Sequence, residues 1–140
     1  MNITKEITVS SVIENLDESG IPYGETERAE TRTLCQYSPE GCITGISYSE
    51  KTESGEVVTN ITITDSSVRV RRTGEVVSDF LFCEGQRQKS LYSVSGYSFD
   101  CEIFTRKIRR KSTDGQTEID IHYDMTIGGA DKRVRMKILI

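Results

Sequence analysis

The sequence predicts an all-β fold: a closed antiparallel up-and-down β-barrel of eight to ten strands, built by residues 1–140 as one domain. Three observations carry this. Apolar side chains recur with a period of two, turn-forming residues separate the runs at short intervals, and no stretch of a dozen residues has a helical apolar face. The alternation is clearest in 118–127, where Ile119, Ile121, Tyr123, Met125 and Ile127 share one face. Glu118, Asp120, His122, Asp124 and Thr126 share the other. A helix would instead space its apolar positions three and four apart.

Taken in order, the runs predict strands at 5–13, 27–37, 42–50, 55–64, 67–73, 76–83, 88–94, 97–108, 117–127 and 132–139. The first places Ile7, Val9, Ser11 and Ile13 on one face. Residues 15–25 predict a long turn or a single helical turn. Thr59, Ile61 and Ile63 share a face in the fourth run, Val68 and Val70 in the fifth, Phe80 and Phe82 in the sixth. Tyr92 pairs with Val94 in the seventh, and Phe99, Cys101 and Ile103 follow in the eighth. In the last, Val134, Met136, Ile138 and Ile140 alternate with Arg133, Arg135 and Lys137, Leu139 being the exception. Each of the last two strands therefore has a dry and a wet side. Between runs, Asp114-Gly115 and Gly128-Gly129 supply the positive φ of tight hairpins. An even number of strands with short connections leaves the first and last antiparallel, so 6–13 can pair with 133–139 and remove both edges.

The order of motifs resembles the YwiB-like family, a bacterial group of calycin-type β-barrels with no assigned biochemical function. The residues that carry the resemblance are Val12-Ile13-Glu14, Tyr48-Ser49-Glu50, and Val70-Arg71-Arg72-Thr73-Gly74 leading into Val76. The longest is Ile121-His122-Tyr123-Asp124-Met125-Thr126-Ile127-Gly128 before the final strand. The resemblance implies a calycin- or lipocalin-like barrel and, by analogy of fold, a ligand cavity. It supplies no catalytic residues.

Composition bounds the function. With 35% hydrophobic and 29% charged residues, the chain is too apolar for obligate disorder and too polar for a membrane protein. Its first residues lack a basic start followed by an apolar run, and no run approaches ~18 apolar residues. The expectation is a soluble cytoplasmic protein with no membrane partner. The four cysteines form no CxxC pair. Cys35 and Cys42 flank a hairpin where they can face each other, but in a reducing compartment all four act as small hydrophobes.

One histidine excludes HExxH and three-histidine zinc sites. Asp120, His122 and Asp124 lie on one strand face, yet neighbours two apart on a strand are separated by roughly 6.6–6.8 Å. They read as a solvated surface. Phosphate-cradling glycine loops are missing. A non-enzyme without metal or cofactor is expected.

Two constellations remain. The first comprises inward-phase polar and aromatic residues: Arg72 continues the face of Val68 and Val70, Tyr123 sits amid isoleucines, and Thr59 and Thr105 interrupt apolar faces. With Tyr92 these are the candidates for binding an unidentified, partly apolar small molecule inside the barrel. A lone buried guanidinium costs several kcal/mol, so an inward Arg72 needs an anionic partner or the wet mouth. The second is a basic surface. The sequence is net −8 over 1–65 and +4 over 66–140. Arg106, Arg109, Arg110 and Lys111, on the eighth strand and the turn after it, with Arg133, Arg135 and Lys137 on the last, form an alternative interface for RNA or an acidic protein. Cross-strand neutralisation is the competing fate of these charges.

Overall fold

The computed structural model describes residues 2–53 and 55–140. Among them the chain forms ten strands: β1 (Ile3–Leu16), β2 (Pro22–Glu40), β3 (Ile43–Thr52), β4 (Gly55–Ile63), β5 (Val68–Gly74), β6 (Val76–Phe82), β7 (Arg87–Val94), β8 (Tyr97–Thr113), β9 (Gln116–Ile127) and β10 (Ala130–Leu139). Each strand pairs antiparallel with its chain neighbours, and β1 also pairs with β10, closing the barrel. Thr8 stands opposite Leu139 and Glu14 opposite Arg133, which is the predicted closure.

The alternation decides which side chains fill the interior. Ile7, Ile61, Phe82, Ile103, Ile119, Ile121 and Ile138 are fully buried and form the packed half of the barrel. Each contributes roughly 1.5–3 kcal/mol by leaving water. Ile140 extends β10, exchanging backbone hydrogen bonds with Thr117 at 2.8 and 2.9 Å.

Three features depart from simple alternation. The connection between β1 and β2 contains no helical turn. Asp17 Oδ1 instead accepts from the backbone N–H of Ser19 and Ile21 at 2.8 and 2.9 Å. That carboxylate substitutes for a turn of backbone, so β2 starts at Pro22 rather than at 27. Second, β8 continues to Thr113 because β9 offers it partners as far as Gln116. Arg109, Arg110 and Lys111 therefore belong to the strand, not to a following turn. Opposite β9, Thr105 pairs with Tyr123 and Lys107 with His122, leaving Arg106 as the extra residue of a bulge. The bulge turns the Thr105 backbone toward the β6–β7 turn, where Gly85 N–H donates to its carbonyl at 2.8 Å and its own N–H donates to Gln86 O at 3.1 Å.

Third, β2 and β3 share a ladder only over 36–40 against 43–47. Beyond it the strands are bridged by side chains, Thr31 Oγ1 donating to Glu50 Oε2 at 3.0 Å. Residues 22–30 of β2, paired with β1 alone, are exposed throughout. Cys35 is buried while Cys42 lies exposed in the β2–β3 turn; both are free thiols.

Candidate functional site

The half of the barrel nearer the β1–β2, β7–β8 and β9–β10 turns is not filled by side chains. It holds a cavity of about 340 Å³. One wall is aromatic. Phe80 and Tyr92 stack with ring centroids 6.3 Å apart and an interplanar angle of 21°, and Phe82 lies 4.7 Å from Tyr123. The facing wall, from β1 and β2, carries the small side chains Ser11 and Ala29 beside Ile13. Small residues opposite aromatic ones leave the space empty, because neither set reaches across it.

Three charged residues reach this space: Arg72 from β5, Lys132 from β10 and Glu27 from β2. Lys132 Nζ donates to Asn15 Oδ1 at 2.8 Å. Arg72 is half-buried, opposite Thr59 on β4 and Ser78 on β6. Its charge acts on two phenols. Burial pushes Tyr123 and Tyr48 above the ordinary tyrosine range, and the Arg72 guanidinium pulls both back down. At neutral pH both hydroxyls therefore keep their protons and can donate them.

Of the residues singled out from the sequence, Arg72, Tyr92 and Tyr123 line the cavity. Thr59 and Thr105 share the inward phase and are fully buried, but they lie outside the cavity wall. Thr59 Oγ1 sits near the Tyr48 hydroxyl without reaching hydrogen-bond geometry, and Thr105 Oγ1 has no partner. Lys132, Glu27 and Tyr48 were not anticipated. Tyr48 follows Ile46 by two and so shares its inward phase, a signal present in the sequence.

The basic residues of the outer face are interleaved with acids. Arg106 Nε donates to Asp124 Oδ2 at 2.7 Å, and Arg133 Nε reaches the other oxygen of the same carboxylate at 3.4 Å. Lys137 lies 3.6 Å from Glu118. In register, Arg109 faces Asp120 and Lys111 faces Glu118. Arg110 donates to Ser67 O at 3.4 Å, and Arg135 Nε to His122 Nε2 at 3.4 Å. His122 is held below its ordinary pKa by desolvation and then by Arg135, so it accepts this bond as the neutral base. Three rows of β8–β9–β10, those of Asp124, Asp120 and Glu118, thus set a carboxylate beside the cations, while the fourth holds neutral His122 between Lys107 and Arg135.

Fold and cavity together define a calycin-like barrel, ten-stranded and closed. The chain belongs to the family described as Domain of unknown function (DUF1934), whose model matches residues 14–138. It is similar to the crystal structure of the ywiB protein from Bacillus subtilis, with 24% identity, 96% of this chain and 91% of that chain covered, and a TM-score of 0.73. At that identity the likeness concerns the fold. Among curated proteins none matches.

Proposed function

We propose that the protein is a non-catalytic binding protein that takes a small, partly apolar molecule into the open half of its barrel. The observation that carries this reading is the 340 Å³ cavity, bounded by stacked aromatic rings on one side and reached by an inward arginine. Apolar walls with a few convergent polar groups are how small-molecule sites are built, and this volume falls at the small end of such sites, roughly 300–1,000 Å³. Four free thiols fit a cytoplasmic protein. The basic outer surface supports an RNA or acidic-protein partner less well, since most of its cations face carboxylates one strand away.

Thermal-shift screening of a small-molecule library tests the reading, because a ligand at 100 times its dissociation constant adds about 2.7 kcal/mol. Hits should lose their shift when Met125→Trp fills the cavity. Shifts that survive this substitution, or a screen without hits at ligand concentrations well above micromolar, would overturn it.

A further inference from the structure

We propose that the cavity is an anion site, taking a ligand whose negatively charged head is held by Arg72 and the Tyr123 hydroxyl while its flat apolar body lies along Phe80 and Tyr92. This rests on the reading above and names the ligand class. The argument begins with an imbalance of donors and acceptors. Arg72 points inward because it continues the phase of Val68 and Val70 on β5. Among the described residues no carboxylate lies within ion-pair distance of it, and no protein acceptor takes its N–H groups. A guanidinium against apolar walls is stable only when paired or hydrated.

One phenol beside it is in the same position. Tyr123 is only 6% exposed and lines the same cavity as Arg72, and no protein acceptor takes its hydroxyl. It comes from β9 and senses the Arg72 charge. β5 and β9 therefore bring a cation and an O–H donor to one cavity.

The nearby acceptors are committed or elsewhere. Glu50 accepts from Thr31, Asn15 Oδ1 accepts from Lys132, and Glu27 stands on the β2 wall outside ion-pair distance of Arg72. A carboxylate, sulfonate or phosphate oxygen would satisfy the guanidinium in a bidentate fork and accept from a phenol. The stacked pair Phe80–Tyr92 supplies a flat surface for the rest of the molecule.

Two fluorescent probes separate the head from the body. The first is 8-anilinonaphthalene-1-sulfonate; the second is N-phenyl-1-naphthylamine, the same ring system without the sulfonate. The folded protein should bind the sulfonate at least about tenfold more tightly, the scale of one charged hydrogen bond. Arg72→Gln should bring the two probes to parity by weakening the sulfonate alone, and Tyr123→Phe should act in the same direction by a smaller factor. Inorganic sulfate should displace the sulfonate probe from the unaltered protein and leave the neutral one bound, a readout that needs no variant. Equal affinity for the two probes, or a sulfonate preference that survives Arg72→Gln or resists sulfate, would overturn the anion site while the cavity reading stood. Binding of neither probe would overturn both.

Discussion

Gly74 offers a severe test of the barrel's geometry. It ends β5 at a φ of 103°, outside the region that L side chains adopt readily, and a Cβ there would lie 2.1 Å from the Glu56 carbonyl oxygen. That oxygen accepts the Glu75 N–H at 3.1 Å. Gly74→Ala therefore combines left-handed backbone strain of about 1–2 kcal/mol, loss of a hydrogen bond worth about 0.5–1.5 kcal/mol, and displacement of a strand that cannot yield as a flexible side chain does. The expected destabilisation is about 3–4 kcal/mol. At the scaling for domains of this size it lowers Tm by about 10 °C. Gly45 is the control. A Cβ there meets only Ser38, its nearest atom at 3.8 Å, and its φ is ordinary. Gly45→Ala should be neutral or stabilising by up to about 1 kcal/mol, because it restricts the unfolded chain. Urea and thermal unfolding followed by circular dichroism measure both. Equal effects at the two sites, or a Gly74→Ala loss below about 1 kcal/mol, would refute the reasoning.

Three further outcomes are expected. Arg69 donates to both oxygens of Asp79 at 2.8 and 2.6 Å, which with its charge holds that carboxyl below the usual range. A depressed carboxyl pKa stabilises the fold above the unfolded value near 4 and is lost as pH falls through the folded value. Asp79→Asn should therefore cost less than about 1 kcal/mol at pH 7 and flatten the acid limb of the stability curve below about pH 4. Thiol titration with Ellman's reagent should show Cys42 reacting at once. Cys35 and Cys101 should react only as the barrel opens, since burial pushes both thiols up, that of Cys101 to about 11. Cys83 is partly exposed, so fast labelling that persists in the double variant Cys42→Ser, Cys83→Ser would contradict this burial. Thr105→Val should raise the urea midpoint at unchanged slope, by about 1 kcal/mol, because it removes a buried hydroxyl that has no partner. A lower midpoint would mean that this hydroxyl is satisfied in solution.

Alternation made most of this fold legible. β9 and β10 are dry on one side and wet on the other along their length, so Ile119, Ile121, Val134 and Ile138 announced themselves. β2 did not. Its first half is exposed on both faces and pairs with one strand only, so nothing selects apolar residues there, and its start at Pro22 could not be seen. The Arg106 bulge was hidden for a different reason. It reverses the phase within β8, so Ile108 faces inward although it is an odd number of residues from Thr105. At the candidate site, Arg72 and Tyr123 were visible as polar or aromatic residues in an apolar phase. The cavity itself is a shortage of side-chain volume. It depends on Ser11 and Ala29 standing across from Phe80 and Tyr92, a relation between strands far apart in sequence that periodicity cannot express. The outer-face cations were visible as composition, but their carboxylate partners appear only once the register is known.

Closure through β1 and β10 has a consequence for how the chain is made. Every other ladder in the barrel joins neighbours in sequence, so each hairpin can form soon after its second strand leaves the ribosome. β1 is the exception. Its second edge stays without a partner until β10, the last strand to be synthesised, arrives to cover it. Throughout translation Ile7, Val9 and Ile13 therefore belong to a sheet with an open flank. An open sheet edge is a template for misassociation, and the pairing that removes it here, β1 with β10, joins the two strands of the barrel farthest apart in sequence.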